Sequence, residues 1–208
     1  MTLDRLLLDA MRRLDEKRLL GMGGSVSVRL PGTRDMLLAT PDIEPVRVPL
    51  SAQPSQEYAQ HIGVYAARPD VGAIASGGGT FGRMLGSFGG DLPQLFDEQA
   101  RHLGATVVPM RHAMDGPLKS SSLATGGNVW ASEKDVMVFG GTVHRLVLNA
   151  ELLEKCAKAY VLAKATGMHL HTLPWWVCHI ANGRLKKDQK RAARRFAQGV
   201  LPEEVKGY

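Results

Sequence analysis

Two stretches of this chain hold residue types that could do chemistry. The first is "VGAIASGGGTFG", Val71 to Gly82, where a short apolar strand runs straight into Ser76 and three consecutive glycines. A strand that empties into glycines marks a place where a ligand or another backbone comes close, because no Cβ stands in the way. Just upstream, Glu57 and His61 stand one helical turn apart. A carboxylate at that position complements the positive start of a helix, and beside a pocket it can also move a proton. His61 fits a structural role on the same helix. The second stretch is "HLHTLPWWVCH", which gathers His169, His171, Cys178 and His179. These are donors that zinc accepts, yet their spacing matches no closed zinc module. Trp175 and Trp176, beside Pro174, read as aromatics that bury against a neighbouring subunit. Phe96 to His102 reads as a half-exposed helix, with His102 and His112 near a pocket mouth.

The elements that must position these residues follow from periodicity. Leu3, Leu6, Leu7, Met11 and Leu14 recur at three and four, so residues 2–20 form an amphipathic helix stopped by Gly21. "SVSVRL" alternates as a strand, "PGTR" turns the chain, and "MLLAT" returns as the second strand of a hairpin. Residues 55–68 form a helix with Ser55 as N-cap and Pro69 at its end. The strand 71–75 follows, then a helix "LPQLFDEQARHLG" closed by Gly104, then a strand "ATVVPM". Residues 111–127 are a polar loop, and "DVMVFGG" is a buried strand. "NAELLEKCAKAYVLAKATG" is a helix capped by Asn149 and stopped by Gly167, and two shorter helical pieces finish the chain. Strands flanked by helices without strict alternation give an α/β fold, a layered sheet of mixed or antiparallel direction. No internal repeat or Pro- or Ser-rich linker divides the 208 residues, which read as a single domain.

Composition narrows the function classes. With 44% hydrophobic and 22% charged residues the chain is an ordinary globular protein, and no apolar run approaches the ~18 residues of a membrane span. Only Cys156 and Cys178 are present, so no disulfide framework is expected, and the leading helix resembles neither a signal nor a transit peptide. These features place the chain in the cytoplasm. The net charge of +6 sits in Arg184 to Arg195, "RLKKDQKRAARR", which holds seven basic residues and one acidic. A single basic C-terminal helix, residues 184–199, without interleaved aromatics reads as a solvated face or an oligomer contact rather than a nucleic-acid surface.

Three segments together resemble the class II aldolase/adducin family. They are "GMGGSVSVR" (Gly21 to Arg29), "SQEYAQHIGVYAARPDVGAIASGGG" (Ser55 to Gly79) and "DVMVFGGTVHRLVLNAELLEKCAKAYVLA" (Asp135 to Ala163). The resemblance implies a three-layer αβα sandwich around a central sheet, and a homotetramer with sites between adjacent subunits. It also implies a divalent metal, usually zinc, held by a His-x-His pair and a third histidine, with a glutamate moving the proton. Ser76 and Gly78 stand at the His-x-His positions here, and Lys134 stands at the third. A hydroxyl is a poor zinc ligand, glycine offers none, and an ammonium repels a cation. The expectation is therefore no cofactor and no family-type metal, leaving any zinc to other ligands such as His169 and His171.

The resemblance also implies a phosphate cradle, and its two loops are altered to Gly23, Gly24 and Ser25 and to Thr40, Pro41, Asp42 and Ile43. Backbone donors remain at Gly23, Gly24 and Thr40, while Asp42 opposes a dianion. The catalytic candidates are Glu57, at the acid/base position, and Lys134, whose ammonium would anchor an anionic oxygen or form a Schiff base. A lysine at such a position is more often a surface turn residue, and Lys134 reads first as that. Gly23, Gly24, Ser25, Thr40, Ser76, Gly77 and Gly78 are the candidate substrate-binding residues. Two functions stay open: a non-catalytic, small-molecule-binding or scaffold homo-oligomer, and a lyase, an aldolase or decarboxylase of a small non-phosphorylated hydroxy- or oxo-acid. An open, polar-lined pocket distinguishes the second from a pocket filled by side chains.

Overall fold

The computed structural model describes residues 2–52, 58–87, 92–104, 123, 126–131, 135–167 and 169–204. Among them, six strands form one sheet: β1 (Ser25–Arg29), β2 (Asp35–Thr40), β3 (Ile43–Pro49), β4 (Ala73–Ser76), β5 (Val129–Ala131) and β6 (Val136–Gly140). Their order is β3-β2-β1-β4-β6-β5, and every neighbouring pair is antiparallel. The central pair sets the site. β1 runs against β4 with Ser25 opposite Ser76 and Val28 opposite Ala73, so the glycines before β1 and after β4 meet at one end of the sheet.

Side chains two apart on a strand share a face, and both faces here are covered. On one face Val26, Val28, Ala73, Ala75, Val136 and Val138 pack against Leu7 and Leu14 of α1 (Leu3–Glu16) and Leu146 and Leu153 of α5 (Val143–Ala165). On the other, Met36, Leu38, Ile74, Met137 and Phe139 pack against Val64 and Tyr65 of α2 (Ala59–Ala67). Each such buried Val, Leu, Ile, Met or Phe side chain contributes roughly 2 kcal/mol. The remaining described helices are α3 (Thr80–Ser87), α4 (Asp97–His102) and α6 (Trp175–Ala197). α6 lies against α4, tied by the ion pair Arg101–Asp188 at 2.6 Å.

Several expectations need correction. α5 is capped by Thr142, whose hydroxyl accepts from the Arg145 amide at 3.2 Å, and not by Asn149. Asn149 is buried two turns inside, where its side-chain amide donates to the Phe139 carbonyl at 2.7 Å and fastens the helix to β6. The chain finishes in one 23-residue helix rather than two pieces, because α6 continues through Gly183. A glycine there costs about 1 kcal/mol, which the packing of Cys178, Leu185 and Ala192 outweighs. The fourth helix is six residues long, shorter than its pattern suggests. β3 carries Pro45 and Pro49, which an edge strand tolerates because half of its amides face no partner. Residues 105–110, the expected strand "ATVVPM", and Ser55 lie outside the described residues, as does His112.

Candidate functional site

Where the two glycine turns meet, the sheet ends in a cavity of about 260 Å³ lined by Met22, Gly23, Ser25, Thr40, Gln60, His61, Ser76, Gly77, Arg83 and Asp135. The glycines explain its floor. Gly24 and Gly77 face each other across the β1–β4 pair, and a Cβ on either would run into the Leu20 carbonyl. Gly77 also has φ +113°, a region that favours glycine. The approaching group that the loop accommodates is thus, in part, the chain's own backbone.

Gly78 has φ +70°, and a Cβ there would stand 2.6 Å from the Val136 Cβ. A histidine at this position would collide with a buried valine. Both ring nitrogens of His61 are already engaged, Nε2 with Ser25 Oγ at 3.0 Å and Nδ1 with Ser27 Oγ at 2.7 Å. Among the described lining residues the other side-chain donors to a cation are hydroxyls, the Gln60 amide oxygen, the Met22 thioether and the Asp135 carboxylate, with the Arg83 guanidinium on the same wall. That set does not fit the three-imidazole zinc site the resemblance implies. Among the described residues no three His, Cys, Asp or Glu side chains gather to hold a metal. His169 and His171 pack edge to face with centroids 5.3 Å apart, while Cys178 is buried in α6.

The start of α3 follows the glycines directly. An exposed helix start attracts anions, but here Glu154 of α5 accepts from the amides of Phe81 at 2.8 Å and Gly82 at 2.9 Å. A Cβ on Gly79 would run into the same carboxylate.

One wall of the cavity is a polar seam between β1 and α2. Ser25 and Ser27 share a strand face, His61 and Tyr65 share a helix face, and the two spacings match, at roughly 6–7 Å each. Ser76 Oγ lies 2.9 Å from Ser25 Oγ and accepts from the Ser25 amide at 3.2 Å. Ser27 Oγ lies 2.9 Å from the Tyr65 hydroxyl. Burial pushes His61 down to about 4, so the ring is neutral at pH 7, and pushes the Tyr65 phenol up. Burial likewise raises the Asp135 carboxyl, against the pull of the Gly77 and Val136 amides and the Arg83 charge. Gly77 donates to Asp135 Oδ1 at 2.9 Å.

Arg29, two residues beyond Ser27, lies over the Tyr65 ring at 4.9 Å and donates to the Tyr65 carbonyl at 2.7 Å. Arg68 makes a two-pronged pair with Asp70 at 2.8 and 2.7 Å and donates to the Gly127 carbonyl at 2.8 Å. These contacts account for the Tyr-x-x-Arg-Pro-Asp spacing: it locks α2 onto the sheet and so fixes His61.

Of the candidate residues, Gly23, Ser25, Thr40, Ser76 and Gly77 line the cavity, and Gly24 and Gly78 form its packed backing. Glu57 and Lys134 lie outside the described residues. Arg83 and Asp135 are additional wall residues, and His61 joins them there. A carboxyl raised by burial in a cleft marks a candidate functional group, but "EKD" shows no burial in sequence. His102 lies elsewhere, on a cavity of about 60 Å³ beside Arg145 and Asp188. A larger open groove of about 780 Å³ over α5 is lined by charges that pair with one another, among them Lys17–Glu151 and Lys155–Glu98 at 3.0 Å each.

Comparison with known proteins bears on the family and the fold. A family model described as the Class II Aldolase and Adducin N-terminal domain matches residues 35–161. A solved L-fuculose 1-phosphate aldolase superposes with a TM-score of 0.74 at 19% identity, covering 88% of this chain and 94% of that one. The L-fuculose 1-phosphate aldolase from Glaciozyma antarctica PI12 gives 0.71 at 15% identity, covering 97% and 92%. An aldolase II superfamily protein from Pseudomonas syringae gives 0.64 at 18% identity, covering 96% and 94%. At these identities the likeness shows the fold. A search of curated protein sequences finds no match.

Proposed function

Because the chain belongs to the class II aldolase and adducin family, we propose that its cavity binds a small, non-phosphorylated hydroxy- or oxo-acid without the family's zinc site. The observation that supports this is the cavity itself: about 260 Å³ stays open between Ser25, Ser76, Thr40, Gln60, Arg83 and Asp135 rather than filling with apolar side chains. Arg83 supplies the charge that a carboxylate needs. Glu154 on the α3 amides and Asp42 in the second loop disfavour a phosphate. Gly23, Thr40 and Gly77 serve as rim and Ser25 and Ser76 as polar contacts.

The second reading is a carbon–carbon lyase on the same acids, with Glu57 as acid/base and Lys134 as the cation that neighbours Asp135 in the chain. It is favoured by Asp135, a raised carboxyl on the wall that can also trade a proton. Binding of glycolate and lactate by calorimetry, with loss in Arg83→Met, tests the first reading. Absence of binding to either, or binding indifferent to Arg83→Met, refutes it. Proton NMR of the same acids and of oxaloacetate over hours tests the second: a product lost in Glu57→Gln establishes turnover.

We also read the chain as a cytoplasmic homo-oligomer, a tetramer by family resemblance. Trp175 and Trp176 support this, being 78% and 55% exposed in the isolated chain beside exposed Ile180. No described helix is long and apolar enough to cross a membrane.

A further inference from the structure

We infer that the Ser76 hydroxyl is held as a one-way hydrogen-bond donor toward the cavity, so that the ligand must place an acceptor oxygen, carboxylate or carbonyl, against it. The inference rests on the five-membered chain Tyr65–Ser27–His61–Ser25–Ser76, with contacts of 2.9, 2.7, 3.0 and 2.9 Å. Such a chain can be ordered in two directions, and the two ends differ. The closed end is the phenol of Tyr65, a group that keeps its proton and is buried at 3% exposure. Ser27 Oγ is its hydrogen-bond partner among the described residues.

If Tyr65 donates to Ser27, Ser27 donates to His61 Nδ1, His61 Nε2–H donates to Ser25, and Ser25 O–H donates to Ser76. Every buried proton in the chain then has an acceptor. Ser76 Oγ already accepts the Ser25 amide at 3.2 Å. A hydroxyl oxygen has two lone pairs, and both are now taken. Its O–H is what remains for the cavity.

In the opposite order Ser76 would give its proton to Ser25, and the last proton, on Tyr65, would be left in the core without an acceptor among the described residues. An unmet buried donor disfavours that order by roughly ten- to a hundredfold. The neutral ring that burial imposes on His61 is consistent with either order, so the geometry of the ends decides. His61 and Ser25 are thereby positioning residues, and Ser76 is the specificity-determining contact.

This deepens the ligand class proposed above and rests on it for the ligand alone; the direction of the chain is tested separately. Long-range proton–nitrogen correlation spectra of the imidazoles, near neutral pH and without ligand, report the tautomer of His61. The Nε2–H tautomer is expected, and its signals are identified by their loss in His61→Gln. A dominant Nδ1–H tautomer overturns the inference whatever the cavity binds. Where glycolate binds, Ser76→Ala should weaken it about tenfold or more. Ser25→Ala, which frees the Ser76 hydroxyl to rotate, should weaken it several-fold while the His61 tautomer stays the same. Glycolate binding unaffected by Ser76→Ala also overturns the inference. An Nε2–H ring with no glycolate bound supports the donor chain and removes the ligand reading instead.

Discussion

Acid should unfold this protein through His61 before its carboxylates are neutralised. The ring is fully enclosed between Ser25, Ser27 and α2, and burial holds it down to about 4 against the usual 6.5. A proton therefore binds the unfolded chain first, so stability is complete above about pH 6.5 and is lost as the pH falls toward 4. The gap is worth about 3 kcal/mol in all, of which about 2 kcal/mol is already gone at pH 5. The perturbation is acidification of the wild type and of His61→Gln, whose amide replaces the ring with a group that does not titrate. Urea unfolding followed by far-UV dichroism at about pH 7.5 and pH 5 gives the four free energies needed. His102 is also pushed down to about 4 by burial and by Arg145, but it titrates in both proteins and cancels in the difference. The variant should start less stable and then lose about 2 kcal/mol less than the wild type between the two pH values. Equal losses would refute the reasoning, since they would mean that the buried ring takes no part in acid unfolding.

Two further outcomes follow from the glycine loop and its neighbours. Gly78→Ala should destabilise the fold by about 1–3 kcal/mol, from its left-handed backbone and the contact with Val136; the paired change Ser76→His with Gly78→His should melt earlier still and take up no stoichiometric zinc after dialysis, and recovery of one zinc per chain would contradict the steric account. Glu154→Ala should lower stability by about 1–3 kcal/mol by leaving the Phe81 and Gly82 amides unmet, whereas Glu154→Gln should recover most of it, as thermal melts would show.

Much of the fold was legible because its period is strong. The β1–β2 hairpin, the strand into the glycines, the α5 helix and its stop at Gly167 all carry clean alternation or three-four spacing. What escaped is physically intelligible. β3 was hidden by prolines that only an edge position excuses, and α3 by Gly82 and Gly86 in a helix whose start is capped from α5, far away in sequence. Asn149 has the type of a helix cap, yet its amide serves a strand carbonyl instead. In the site, "SVSV" reads as valines inward and serines outward. Both faces are covered, however, and Ser25 and Ser27 are buried alongside Val26 and Val28. A sheet covered on both sides removes the rule by which polar alternation means solvent. Its place one turn beyond Glu57 gives His61 a structural role, and only the pairing with Ser25 brings it to the cavity wall.

The floor of the cavity comes from two strands at the middle of the sheet, paired amide to carbonyl along a register of four consecutive residue pairs. Edges of a sheet fray, whereas its centre opens only when most of the domain does. Whatever ligand enters meets a rigid anvil at Ser25 and Ser76, and any adaptation to its shape must come from the rim. Amide hydrogen exchange should accordingly be slowest beneath the ligand, an inversion of the common arrangement in which binding residues sit on the most yielding parts of a molecule.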